Sequence, residues 1–276
     1  MLKSLNQARA ALSMLNPNEV MRVAARPVHI GLVASNEAGY TGMENFLLAD
    51  GASRYQLHRA DDRNVPEKVD VVLYETGIGT PDGGYEFAPE SSEWIDAILH
   101  DHDELGLPLA RNFPAFRKRV VERTIHEISK ENAIFALATA MPNVVPSLIQ
   151  LPWALGEFAS DTAFLTANQV RMAFLIATAS GREAGFSRQA GPIMGIAGGA
   201  FGWRAIAREL VGKIPLGGGL IPKGAIAYAG TYVVGKALER YYQGNRTFTA
   251  AQREAAYQEA YRRGKEVAQT WRRKPA

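Results

Sequence analysis

The sequence predicts an α+β chain in two parts, a small α/β head followed by an all-α helical domain. Apolar, strand-like runs alternate with helical segments up to about residue 110, which is typical of a small parallel sheet. After Arg111 no convincing strand follows, and helical patterns continue to the end. The charge balance changes as well. Residues 1–131 contain 14 basic and 20 acidic side chains, whereas residues 132–276 contain 17 and 8.

These patterns divide the chain into three segments. Residues 1–26 have leucines at helical spacing and predict an amphipathic helix with a linker, residues 27–110 form the α/β head, and residues 111–276 form the helical domain. Polar residues interrupt the first segment too often for a secretory signal, so export is not expected. The absence of cysteine excludes disulfides, cysteine-ligated metal sites and a cysteine nucleophile, and fits a cytoplasmic location.

Element by element, the head is predicted to alternate strands, helices and one glycine-rich loop. Strands are predicted at 27–34, 55–58 and 69–74, helices at 42–49 and 90–100, and the loop at 76–84. In the helical domain, helices are predicted from Phe116 onward, at 166–181, 203–212 and 223–242, and after a capping box formed by Thr249 and Gln252.

The strand, loop and helix at 28–48 resemble a P-loop, which requires the pattern G-x-x-x-x-G-K-[ST]. Ala34 stands at the first glycine, Gly39 at the second, Tyr40 at the lysine and Thr41 at the hydroxyl residue. Tyrosine cannot neutralise a triphosphate as lysine does. A decayed P-loop, a working phosphate site and an ordinary strand–turn–helix therefore remain as alternatives.

Other nucleotide-binding motifs are incomplete. Gly77 and Gly79 begin a G-x-G pattern, but Asp82 replaces its third glycine, which favours a turn. The candidate cofactor-binding residues are therefore Gly39, Thr41, Gly77 and Gly79, no cofactor is assigned, and no catalytic constellation stands out.

A dense polar run, His100-Asp101-His102-Asp103-Glu104, could ligate a metal or simply face solvent. We favour a solvated loop and predict no metal site. His29, His58 and His126 have no partner that the sequence makes visible.

Apolar stretches raise the question of membrane contact. Residues 132–156 contain no charged side chain, but Pro142, Pro146 and Pro152 would break a continuous span and favour a helical hairpin. Residues 191–202 contain consecutive GxxxG steps, which suit close helix packing in lipid or in a protein core. A transmembrane span, peripheral or hairpin insertion, and an ordinary helical core all remain open for residues 132–156 and 191–235.

The basic C-terminal segment suggests a partner for the helical domain. Its side chains are either a solvated helix face or a surface for anionic lipid, and no nucleic acid is expected because aromatic residues do not alternate with them. The basic residues are Arg262, Arg263, Lys265, Arg272, Arg273 and Lys274.

The helical domain resembles a bacterial domain of unknown function found behind Era-like GTPase domains and in YcjF-type inner-membrane proteins. The resemblance covers about residues 115–270 and rests on Asn132-Ala133 with Pro142-Asn143, on Asn168-Gln169 with the helix after it, and on the stretch 214–244. In that stretch the matching positions are Ile214, Pro215, Gly219, Lys223, Thr231, Gly235, Tyr241, Tyr242 and Gly244.

The resemblance implies that residues 27–110 occupy the position of a GTPase domain. At about 85 residues this head is short, and with Tyr40 in place of lysine it is expected to be a truncated pseudo-GTPase without hydrolysis. The resemblance also implies a helical module at or near the inner membrane, with inner-membrane proteins or anionic lipid as partners. Self-association into a homo-oligomer remains open.

Overall fold

The protein combines a small parallel sheet with long helices. The computed structural model describes residues 15–48, 54–60, 69–140, 161–197, 220–244 and 248–273. The chain forms two compact units. The sheet unit comprises Asn18–Glu122 and Ala177–Glu183, and the helical unit comprises Met1–Pro17, Arg123–Ile176 and Ala184–Ala276.

The strands and first helices confirm the predicted α/β alternation. In order they are α1 (Pro17–Ala24), β1 (Ile30–Val33), α2 (Glu37–Leu47), β2 (Leu57–Ala60), β3 (Val71–Glu75), β4 (Tyr85–Phe87), α3 (Glu93–Asp101) and α4 (Gly106–Asn112). Short 3-10 turns precede β2 and α4. The predicted strands at 27–34 and 69–74 correspond to β1 and β3. The predicted edge strand at 55–58 lies two residues later, as β2.

The sheet is parallel throughout and has the strand order β2-β1-β3-β4. Gly31 in β1 pairs with His58 on one side and with Val72 on the other. All four residues of β1 are buried, which explains its continuous apolar sequence. Strand β4 was not predicted, because three residues are too few to show an alternating pattern.

Aromatic side chains from separate elements form much of the core of the sheet unit. The Phe46 ring on α2 lies 5.2 Å from the Phe87 ring on β4, and Trp94 on α3 lies 5.3 Å from Phe87. Trp94 also meets Phe116 edge to face at 5.5 Å. Edge-to-face contacts of this kind add to the free energy gained by burying the rings. They fix α2 and α3 against the end of the sheet.

The described residues after Asn112 form helices and no strand. These helices are α5 (Pro114–Ala138), α6 (Asp161–Ala179), α7 (Ala190–Ala197), α8 (Leu220–Gly244) and α9 (Ala250–Arg273). The boundaries between the two compact units fall inside α5, after Glu122, and inside α6, after Ile176.

Two predicted helix starts had different outcomes. At α9 the capping box is confirmed, because the Gln252 backbone N–H donates to Thr249 Oγ1 at 3.2 Å and the Thr249 N–H donates to Gln252 Oε1 at 3.2 Å. The start at Thr166 was wrong, since α6 begins at Asp161 and Thr166 lies within it. Phe164 is buried and stacks on Phe135 at 3.9 Å, so packing against α5 continues upstream of the local sequence signal.

A buried polar network joins α5, α6 and α8. Asn132 donates to Thr231 Oγ1 at 2.8 Å and accepts from Asn168 at 2.9 Å. Asn168 also donates to Glu131 at 3.1 Å, and Glu131 forms an ion pair with Arg171 at 2.8 Å. The Asn132 side chain is fully buried, so these hydrogen bonds replace all of its contact with water.

Two glycines allow close approach between helices of the helical unit. A Cβ built on Gly264 in α9 would lie 2.9 Å from the Cα and carbonyl oxygen of Ala225 in α8. A Cβ on Gly235 in α8 would lie 2.7 Å from Ile125 in α5. Both positions therefore require glycine for packing, independent of any unusual backbone angle.

Several sequence predictions fall outside the described residues. These are the N-terminal leucine pattern up to residue 14, the stretch 141–160, the later glycines of the GxxxG run and the helix at 203–212. None of the described helices is both long enough and apolar enough to cross a bilayer.

Candidate functional site

The candidate site lies at the carboxyl ends of β1 and β3. These two strands are neighbours, and the chain leaves β1 toward β2 on one side and leaves β3 toward β4 on the other. Such a reversal of strand order opens a crevice in which parallel α/β sheets bind their ligands. The loop after β1 leads directly into α2, so the stretch 28–48 contains a strand, a loop and a helix.

A carboxylate from the chain itself occupies this crevice. Glu75, at the end of β3, accepts a hydrogen bond from the Ser35 hydroxyl at 2.6 Å and another from the Ser35 backbone N–H at 2.8 Å. The Ser35 hydroxyl, and then its backbone N–H, hold the pKa of Glu75 below its usual range. In a working P-loop, backbone N–H groups of this loop bind phosphate oxygens.

Gly39 is explained by the same carboxylate. A Cβ at this position would lie 2.6 Å from Glu75 Oε1, so a larger residue would displace the Glu75 side chain. The Gly39 backbone N–H is already engaged, because it donates to Asn36 Oδ1 at 3.0 Å in the N-cap of α2. Thr41 lies within the exposed part of α2. The absence of a side chain at Gly39 therefore leaves room for the Glu75 carboxylate, and the Gly39 N–H forms the N-cap hydrogen bond of α2.

Tyr40, at the position of the P-loop lysine, contacts β2. Its hydroxyl donates to the Ala60 carbonyl at 2.6 Å, and the Arg59 guanidinium lies 5.3 Å from its ring centroid. Arg59 is itself paired with Glu44 at 2.6 Å and with Glu37 at 2.8 Å, and these hydrogen bonds raise the pKa of Arg59. The cation beside Tyr40 is thus neutralised by two carboxylates of α2.

Gly77 and Gly79 shape the loop after β3. Their φ angles are +93° and +86°, in the left-handed region that favours glycine, and no atom of the described residues lies within 4 Å of a Cβ built on either. The neighbouring Thr76 hydroxyl donates to the Phe87 carbonyl at 2.6 Å and ties the loop to β4. Backbone conformation is a sufficient reason for both glycines.

The acidic and histidine-rich run at the end of α3 takes part in packing. Asp101 accepts a hydrogen bond from the Tyr85 hydroxyl at 3.0 Å, and His102 lies edge to face with the Tyr85 ring. Burial, and then the bond to Asp101, raise the pKa of Tyr85 to about 12. Within the described ranges, no group of three or more potential ligands has the geometry of a metal site.

Two histidines without a visible partner in the sequence contact each other. His29 Nδ1 lies 2.9 Å from His58 Nε2, where β1 and β2 run side by side. The His29 backbone N–H donates to Asp70 at 2.9 Å, and Asp70 also forms an ion pair with Arg26 at 2.9 Å. The two histidines connect the edge strand β2 to β1. They lie toward the amino end of β1, whereas the candidate site is at the carboxyl ends of the strands.

No family model, curated protein or solved structure matches this chain. The residues at the crevice and their chemistry are therefore the basis for proposing a function. That chemistry consists of hydrogen-bond donors of the loop engaged by Glu75 and Asn36, and a nearby cation engaged by Glu37 and Glu44.

Sequence reasoning missed Ser35 and Glu75 as partners. A usable signal did exist, because the residues that follow two adjacent parallel strands meet at the same edge of the sheet. Once the strand order places β1 beside β3, a serine after β1 and a glutamate ending β3 predict a hydrogen bond between them.

The Glu75 contact predicts an abnormal titration. We expect the carboxyl carbon of Glu75 to titrate by NMR with a midpoint below the reference value of about 4.3. A Ser35→Ala variant should move this midpoint upward, because it removes the hydroxyl donor. Since folding lowers this pKa, the contact stabilises the fold above about pH 4 and the stabilisation is lost as pH falls through the folded pKa. Identical midpoints in the two proteins would show that the Ser35 hydroxyl does not lower the pKa of Glu75.

Proposed function

We propose that this chain is a non-catalytic protein whose head keeps the outline of a P-loop GTPase without nucleotide hydrolysis. The helical domain would then serve as an interaction module. The resemblance to GTPase-associated and YcjF-type domains motivates the general assignment. Its support in the structure comes from one observation, the Glu75 carboxylate held on the N–H and hydroxyl of Ser35.

A phosphate approaching the loop would meet Glu75 in the crevice and Glu37 in the first turn of α2, and both are acids. The negative charges of these two carboxylates would repel the phosphate. Arg59 is a nearby cation that could offset this repulsion, but its guanidinium is paired with Glu37 and Glu44. The Tyr40 hydroxyl is bonded to β2 and presents no positive charge. The carboxylates near the loop and the tyrosine in place of lysine therefore all act against triphosphate binding.

A nucleotide- or phosphate-binding regulator is the alternative. The position of the crevice favours it, because the chain leaves β1 and β3 toward opposite sides there, as in ligand-binding parallel sheets. Under this alternative, Glu75 would swing away and the Ser35 and Gly39 N–H groups would receive a phosphate. Gly77 and Gly79 would then border the ligand.

Direct binding measurements distinguish the two proposals. We expect fluorescent GTP and ATP analogues with Mg²⁺ to show no saturable binding to the intact chain, and phosphate release to stay at the uncatalysed rate. Saturable binding at low micromolar concentration that Thr41→Ala weakens would overturn the proposal and support the alternative. Thr41 is a suitable probe because its side chain is exposed, so the variant is expected to keep the fold.

For the helical unit we propose a peripheral role at the inner membrane, with anionic lipid or membrane proteins as partners. Exposed apolar side chains support a contact surface, since Met194 on α7 is 70% exposed and Phe186 before it is 40% exposed. The basic side chains of α9 offer less positive charge to anionic lipid than the sequence indicated, because neighbouring side chains already contact them. Arg262 and Arg263 both pair with Glu259, at 3.1 and 3.2 Å, and Lys265 lies over the Tyr261 ring.

A further inference from the structure

His126 connects three helices of the helical unit. The residue is on α5, its Nδ1 lies 2.7 Å from the Tyr228 hydroxyl on α8, and its Nε2 lies 3.3 Å from Arg263 Nη1 on α9. The Tyr232 ring packs against the imidazole with centroids 5.2 Å apart. Both ring nitrogens are thus in contact with polar groups of other helices.

The chemistry of Arg263 fixes the imidazole tautomer. A guanidinium can only donate, so Nε2 must be the unprotonated nitrogen and accept. Nδ1 then has the proton and donates it to the Tyr228 oxygen. Burial, opposed by the nearby Arg263 charge, raises the pKa of Tyr228 to about 12, so its hydroxyl stays neutral across the physiological range. This arrangement holds only while the imidazole is neutral.

Other charged groups surround this contact and set its response. Arg263 also donates to Glu259 at 3.2 Å, and the same carboxylate forms a second ion pair with Arg262. On α5, the flanking Arg123 and Glu127 pair with each other at 2.7 Å. The titratable and charged groups to consider are Arg123, Glu127 and Lys130 on α5, Tyr228 and Tyr232 on α8, and Glu259, Arg262, Arg263 and Glu266 on α9.

We propose that His126 is a pH-sensitive switch that holds α9 against α5 and α8 at neutral pH and loosens it in mild acid. A second proton on Nε2 removes the acceptor used by Arg263 and places two cations 3.3 Å apart. Histidine ordinarily takes up this proton near pH 6.5, within reach of cellular pH changes. The folded state opposes the uptake, so stability falls as pH falls through that range.

The first test measures the tautomer. Long-range ¹H–¹⁵N correlation spectra of the intact chain at pH 7.5 are expected to show His126 protonated at Nδ1, the less common form. In an Arg263→Met variant, the balance should move toward the Nε2-protonated form, because the donor that selects the tautomer is gone. An Nε2-protonated His126 in the unaltered protein would overturn the proposal without any variant having to fold.

The second test measures release. Hydrogen exchange of amides in residues 257–271, corrected for intrinsic rates, should accelerate from pH 7.5 to pH 5.5 in the unaltered protein. His126→Gln is the matched control, because glutamine can donate and accept but does not titrate. We expect the pH-dependent loss in melting temperature to be about 3 °C larger in the unaltered protein than in this variant. Equal losses, or acceleration confined to the sheet unit, would refute the switch.

Discussion

Replacing Gly264 with alanine is expected to lower the free energy of unfolding by about 2 kcal/mol, because small-to-large changes in a packed interface cost this much. The added Cβ would lie 2.9 Å from the Ala225 Cα and carbonyl oxygen, and 2.9 Å from the Tyr228 Cβ. Backbone atoms of α8 cannot rotate away as a flexible side chain can, so α9 must shift outward. Denaturant unfolding followed by circular dichroism measures the change.

Gly244 supplies the control for this substitution. It is the last residue of α8, and no atom in the part of the chain that the structure describes lies within 4 Å of a Cβ built there. Gly244→Ala should therefore leave stability unchanged or slightly raised, since alanine is the better helix former. If both alanine variants unfold at the same denaturant concentration, the close approach of α8 and α9 does not limit stability.

Asn132→Ala is expected to cost about 3 kcal/mol, within the range for breaking a buried hydrogen-bond network. The variant removes the acceptor of one Asn168 hydrogen bond and the donor to Thr231, and neither group gains access to water. Thermal and chemical unfolding of the whole chain measure the loss. An Asn45→Ala change on the exposed side of α2 serves as the matched control and should cost far less.

A double-mutant cycle separates the network from the cavity left behind. Thr231→Val keeps the shape of the side chain and removes the hydroxyl that accepts from Asn132. The Asn132→Ala and Thr231→Val costs should sum to more than the cost of the double variant, because both remove the same hydrogen bond. Additive costs would mean that the two residues act independently and that packing alone explains their burial.

The sequence predicted the α+β composition because local patterns determine it. β1 is buried throughout, and β3 is apolar up to Glu75 with three of its five residues buried. Element boundaries were less predictable where tertiary packing extends a helix, as at α6. The three-residue strand β4 has too short a pattern to recognise.

The candidate site was predicted only in outline. Local spacing identified Gly39, Thr41 and the change from lysine to Tyr40, since these depend on neighbouring residues. The Ser35 contact with Glu75 joins positions 40 residues apart, and the His126 contact with Arg263 joins positions 137 apart. Such partners depend on strand order and helix packing, which a single sequence does not specify. The role of Gly235 is of the same kind, because its distant neighbours Ile125 and Met172 explain why a side chain is excluded.

The discontinuous make-up of the sheet unit bears on how the protein is synthesised. Its last segment, Ala177–Glu183, is translated after an intervening stretch of the helical unit. All four strands are therefore synthesised before the last segment of the sheet unit exists. Until then Arg111 lacks the Arg182 carbonyl it meets at 3.2 Å, and Met21 lacks its contact with Thr178. Completion of the head therefore waits for a later part of the polypeptide. A fragment ending at residue 122 would be an unfinished intermediate, not a domain excised intact.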